Sequence, residues 1–340
     1  MSIAIVSVFP GVTSDVRGEG PARRVSPQVQ MIVGKASQVS VEVRIRETGN
    51  LNFVSEADQR ALIHYLLETG GPDSDLIGFV DQEMQVKNEV MNWLVASPVG
   101  APRLMEVLLG ILVDESRSVT MRDYAAQHAS KLLLRSDLEG SARQELVSTL
   151  YQVALQERAN SISGSICLAL GQFVMNTGQA FEEAGVLFSL SRDKFLRVCG
   201  TIAGDTDAFI GSRAAAVAIA GEVLEPEEPS PSWIREVFDQ ASMLGGESLG
   251  GGQSADRRQN EKSAPSLGAQ TALILACARA LLQSGSKEDK EAVKLLADQL
   301  QSDELQLVSG GILRENLTRL VQQSAPELKD SLPENEPFEP

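Results

Sequence analysis

Four stretches of this chain share one composition at helical spacing: VTMRDYAAQHASKL (119–132), NSISGSICLALGQF (160–173), FIGSRAAAVAIAGEV (209–223) and APSLGAQTALILACARAL (264–281). Each is rich in Ala, Gly or Ser, with larger aliphatics every three or four residues. They recur roughly every 40 to 55 residues, the period range of helical-hairpin repeats once the last interval is allowed an insertion. Small residues along a helix face let a neighbouring backbone come close, as stacked layers require. A chain that repeats such helices is expected to stack them, so the fold class read here is all-α, an α-solenoid in preference to a compact bundle. Aromatic residues at 4% agree with a core packed from aliphatics and alanine.

Helical periodicity predicts elements near 55–69, 82–96, 101–114, 118–135, 140–158, 161–175, 181–203 with a break, 207–223, 231–243, 267–284, 287–301 and 303–322. Some ends are marked. Ser55 with Asp58 forms a capping-box pattern, and Gly70, Gly71 and Pro72 close the same helix. Ser230 before Pro231 reads as an N-cap with proline at the first helical position. In SQVSVEVRIRE the residues Val39, Val41, Val43 and Ile45 alternate strictly with polar ones, the period of a half-buried strand. Segment 38–54 is therefore expected to be irregular or a short strand. The remaining organisation follows: an extension or linker over 1–37, a helical-repeat domain over 55–322 with a Gly, Ser and charge-rich insertion at 244–266, and a disordered acidic, Pro-rich tail over 323–340.

Charge and cysteine usage narrow the function classes. A formal net charge of -16 repels a phosphate backbone or an anionic membrane at long range, which argues against nucleic acid as a partner. Cys167, Cys199 and Cys277 are widely spaced in apolar surroundings and read as buried free thiols. The apolar run Ile3 to Phe9 is far too short to span a bilayer and has no basic region before it. A cytoplasmic location is the default. A periplasmic or membrane-tethered one follows if that run is the remnant of a signal or anchor segment.

KNEVMNWLVAS, VTMRDYAAQHASKLL and NSISGSICLALGQF, between Lys87 and Val174, carry a family likeness. With Arg122, Asp123, Tyr124, Gln127 and His128 in a helix reading R-D-Y-x-x-Q-H, this third of the chain resembles the HEAT-repeat (HEAT/armadillo-like) proteins of environmental bacteria. The resemblance implies a right-handed superhelix of helical pairs that binds protein partners. It brings no catalytic residues, and the less regular stretches 38–47 and 244–266 leave the number of layers open.

Chemistry-bearing patterns are scarce. His64 and His128 are the only histidines and lie in no metal-binding spacing. The glycines of 243–266 lack the preceding strand and the closing Lys-Ser or Lys-Thr pair of a phosphate loop. Asp205 and Asp207 imitate the start of a calcium loop without its closing Glu and are expected to cap the helix near 207. No catalytic residue, metal ligand or cofactor is assigned. On its helix His128 falls at the centre of the apolar face with Met121, Ala125, Ala129 and Leu132, so burial between helices is expected; His64 falls off the apolar face of its own helix and is expected to be solvated. Tyr124, Ala125, His128, Leu132, Ile166 and Leu170 are read as repeat-packing residues. Arg257, Arg258 and Lys262 are the insertion's candidate contacts to a partner, and Phe338 is the anchor if the tail docks.

The favoured function is a non-enzymatic scaffold or adaptor binding a protein or peptide on its concave surface. Two alternatives stand beside it: an envelope-associated structural protein tethered by an upstream segment, and a repeat-fold enzyme accessory, lyase-like or DNA-repair-like. The acidic charge and missing catalytic motifs disfavour the last.

Overall fold

The computed structural model describes residues 24–34, 38–52, 54–68, 79–97, 100–177, 192–225, 228–250, 267–284, 286–299 and 308–325. These form fourteen α-helices and no strand. In chain order they are α1 (Pro27–Ile32), α2 (Val41–Gly49), α3 (Glu56–Leu67), α4 (Phe79–Ala96), α5 (Ala101–Val113), α6 (Val119–Lys131), α7 (Gly140–Gln156), α8 (Ile162–Thr177), α9 (Arg192–Gly204), α10 (Ile210–Val223), α11 (Ser232–Gly250), α12 (Leu267–Gln283), α13 (Lys287–Gln299) and α14 (Val308–Ser324). The chain divides into two units, Met1–Val86 and Lys87–Pro340, with the boundary inside α4.

The all-helical expectation holds, and the strand does not. Residues 41–49 are the helix α2, entered through Ser40 in extended conformation. Its buried positions are Val41, Arg44 and Thr48, spaced as one helical face. The alternating valines misled because the residue that organises the segment is an arginine. Arg44 is fully buried: Nε donates to the Ile32 carbonyl (2.7 Å), and the other nitrogens reach both Glu83 carboxylate oxygens (2.7 and 3.0 Å) and the Tyr65 hydroxyl (2.8 Å). Burial opposes a charge there, but Glu83 and Tyr65 more than compensate and hold the guanidinium protonated. A second difference is α1, which lies within the expected linker 1–37. Within this first unit α1 packs on α2 and α3, and Ser55 with Asp58 forms both halves of the capping box.

In the second unit, helices pair as hairpins: α5 with α6, α7 with α8, α9 with α10, α11 with α12, and α13 with α14. The second helices also touch in sequence, α6 on α8, α8 on α10, α10 on α12 and α12 on α14. The first helices do the same, α5 on α7, α7 on α9 and α9 on α11. Two ladders of helices therefore run side by side. Turns inside the hairpins are short, covering 114–118, 157–161 and 205–209. Each opens on an acid whose carboxylate stays in or next to the turn: Asp114 accepts from the Ser116 backbone (3.1 Å), Glu157 from the Asn160 amide (2.6 Å) and Asp205 from the Asp207 backbone (3.0 Å). Asp207 does not cap a helix, because α10 starts only at Ile210 with Phe209 at its cap position. Ser230 likewise spends its hydroxyl on Asp289 (2.6 Å), and α11 begins at Ser232.

Among the described residues one device closes four of the five hairpins of the second unit, α5–α6, α7–α8, α9–α10 and α11–α12. Early in the second helix a side chain donates to a carbonyl of the first: Arg122 Nε to Leu112 (2.8 Å), Arg213 Nε to Ala203 (2.8 Å), Gln270 Nε2 to Ala241 (2.9 Å), and the buried Ser163 hydroxyl to Ala154. Arg44 does the same for Ile32 in the first unit. Leu112, Ala154, Ala203 and Ile32 lie in the last turn of their helices, where carbonyls have no partner inside the helix and a buried one must find a donor elsewhere. Ala241 lies mid-helix, and the Gln270 contact is an added bond there. The two arginines of the second unit also reach forward to the following turn or helix, Arg122 to Glu157 and Arg213 to Gln240 (3.0 Å).

Candidate partner-binding face

The ladder of second helices is built from its small residues upward. A Cβ added to Gly164 of α8 would sit 2.9 Å from the Ser212 Cα of α10, and one on Gly171 would overlap the Ile219 side chain. Gly164 N–H donates to Ser212 Oγ (3.0 Å), which in turn donates to the Asn160 carbonyl (2.7 Å). Both contacts, Gly164 with Ser212 and Gly171 with Ile219, carry the same register, so α8 and α10 run parallel. Between α4 and α6 the pairs Asn88 with His128 and Asn92 with Lys131 advance together along both helices, so those helices are parallel too. Gly221 of α10 meets Ala280 of α12, where an added Cβ would lie 2.9 Å from the alanine Cβ.

Close approach at those points leaves troughs where side chains are short. One, of about 370 Å³, lies between α6 and α8 and is lined by Gln127, Ser130, Lys131, Leu134, Leu168 and Phe173, among others. Leu134 and Leu168 remain 64% and 41% exposed at its edge, large apolar side chains left in water. A second, of about 380 Å³, lies between α10 and α12. Ala214, Ala215, Ala218, Ala272 and Ala276 form much of its wall, with Glu222, Arg279 and Gln283 as its polar members. Residues of the second helices, and of the turn that ends α6, line both troughs, so they belong to the same ladder.

Ala125, His128, Leu132, Ile166 and Leu170 are buried, and Tyr124 is half-buried. His128 donates from Nε2 to Asn88 Oδ1 (2.9 Å) and accepts from Lys131 Nζ at Nδ1 (3.4 Å). Burial, with the Lys131 charge beside it, holds the imidazole neutral down to a pKa of about 4. It is a packed, hydrogen-bonded base between α4 and α6. His64 by contrast is exposed, against Glu68 (3.1 Å). All three cysteines are buried and unbridged. Cys199 neighbours Cys167 rather than His128, and its thiol is pushed well up by burial and by that second thiol. Burial pushes Cys277 up to about 12. Thiols held this far from ionisation are poor nucleophiles. Arg257, Arg258, Lys262 and Phe338 lie outside the described residues.

Among the described residues no cluster of three or more His, Cys, Asp or Glu side chains could hold a metal ion. No described helix is long and apolar enough to cross a membrane. No protein-family model, no curated protein and no solved structure matches the chain. The troughs were not visible from the sequence. Periodicity identifies a helix's buried face, but an alanine packed under a neighbour and an alanine lining an open groove look the same in one dimension.

Proposed function

We propose that the second unit is an α-solenoid of HEAT-like hairpins that acts as a non-enzymatic scaffold, holding an extended segment of a protein partner along the ladder of second helices. The observation that carries this reading is the pair of open troughs on that one ladder, each lined by alanine and larger apolar side chains together with amides and one or two charged groups. An extended peptide needs such a surface: pockets for alternate side chains, and polar groups that fix its course. The acidic composition favours partner segments of basic or mixed charge.

The test is selection of binding segments from a displayed peptide library against the full chain, followed by Leu168→Arg and Ala218→Arg. Each substitution fills one trough from its exposed side. Selected segments should lose binding to one or both variants while helix content and melting stay as in the parent. Segments that bind both variants as well as the parent would place the binding surface elsewhere.

A further inference from the structure

The trough between α10 and α12 is an apolar surface with one cationic side chain, and the chain carries its own candidate occupant. Arg279 is exposed on α12 and has no ion-pair partner among the described residues. Glu222 stands across from it on α10, so the positive side of the trough is the α12 side. The segment 326–340, PELKDSLPENEPFEP, has five acids against one lysine and four prolines, a composition that favours extended backbone. Phe338 is the only aromatic residue after Phe238. Its immediate surroundings are Glu336, Pro337, Glu339 and Pro340. Solubility explains the acids and prolines of such a segment and leaves the ring unexplained.

Reach and size agree. The segment follows directly on Ala325 at the end of α14, and α14 packs on α12, one wall of the trough. Packed helices lie about 8–10 Å apart. An extended run from Ala325 to Phe338 spans up to ~40 Å, enough to pass one helix and return along the next. A trough of about 380 Å³ accommodates one aromatic ring with its flanking prolines. Alanines along the wall leave room for such a ring, and Arg279 among the lining residues offers a cation to a neighbouring glutamate.

We infer that segment 326–340 docks in the α10–α12 trough through Phe338, with an adjacent glutamate paired to Arg279, and so competes in cis with a partner for the scaffold face. This rests on the proposed binding role of that face. A tether of this length raises the local concentration of the segment to roughly the millimolar range, so even a weak contact is populated.

Two measurements on the full chain test it. A photoreactive phenylalanine analogue at position 338 should cross-link within the same molecule to residues 214–222 or 272–283, with yield reduced several-fold by Arg279→Glu. Cross-links elsewhere, only between molecules, or not at all would overturn the inference. A labelled peptide of sequence 326–340, added in trans, should bind the Phe338→Ala chain about tenfold more tightly than the parent, because the internal competitor is weakened. Equal affinities would also overturn it. If library-selected segments bind parent and Phe338→Ala chains alike, yet lose binding to Ala218→Arg, the scaffold reading stands and the cis competition fails. If the cross-link forms but no external segment binds the face, the scaffold reading is the one that fails.

Discussion

Arg44 and Arg213 do the same local job in different surroundings. Each closes a hairpin through Nε, but Arg44 is met by a bidentate carboxylate and a phenol, whereas Arg213 is met by the neutral amide of Gln240. The consequence shows in their proton affinities: Arg44 is held above the usual arginine range and Arg213, through burial, below it. Arg122 is met by a carboxylate too, that of Glu157, which keeps partial contact with solvent. The carbonyl contact is thus the constant part of the device, and its electrostatic partner is the variable part. Both guanidiniums are buried, so what separates them is the partner, a counter-ion for Arg44 and an amide for Arg213.

That contrast breaks most visibly at Glu83. Glu83→Ala leaves the Arg44 charge buried without its carboxylate and should cost about 3–5 kcal/mol in urea unfolding. Next comes a buried base that avoids charge altogether. His128 is neutral in the folded chain down to about pH 4, while the unfolded chain protonates near 6.5. The unfolded form therefore binds more protons between those values, and stability falls as pH drops through that window, by about 3 kcal/mol at its foot. His128→Gln should remove that component, so parent and variant stabilities converge between pH 7 and pH 4. Glu157→Ala should cost about 1.5–3 kcal/mol, since it deletes a charged hydrogen bond that is only partly shielded from water. Smallest is Gln240→Ala, at about 1 kcal/mol. A Gln240→Ala cost equal to that of Glu83→Ala would mean the partner's charge is irrelevant and that only the carbonyl contact matters.

Much of this architecture was legible in the chain. The twelve helices expected from residue 55 onward all have counterparts between α3 and α14, because their apolar spacing is unambiguous. The N-terminal pair was missed for an instructive reason. SVEVR (40–44) and SVTMR (118–122) share one pattern, a serine at the N-cap position and an arginine that becomes the fourth helical residue. Period-two alternation in the first of these outweighed the likeness to the second, although only the likeness reports the arginine's long-range contacts. FIGSR and SLGAQ extend the pattern to α10 and α12, with the donor again fourth in the helix. The closing device was therefore present in the sequence as a positional repeat. The troughs were not, since their existence depends on which of many small residues no neighbour covers.

Hairpins that touch mainly the next hairpin have a thermodynamic consequence. On the solenoid reading proposed above, the interfaces of the second unit form a row, and free energy is shared between neighbouring hairpins in the manner of a one-dimensional lattice. Opening should begin at the ends, and amide exchange should be slowest around α8 and α10, which have packed helices on both sides. A lesion such as Gly171→Ala, at the centre of that row, would then do more than weaken one contact: it would divide one cooperative unit into two.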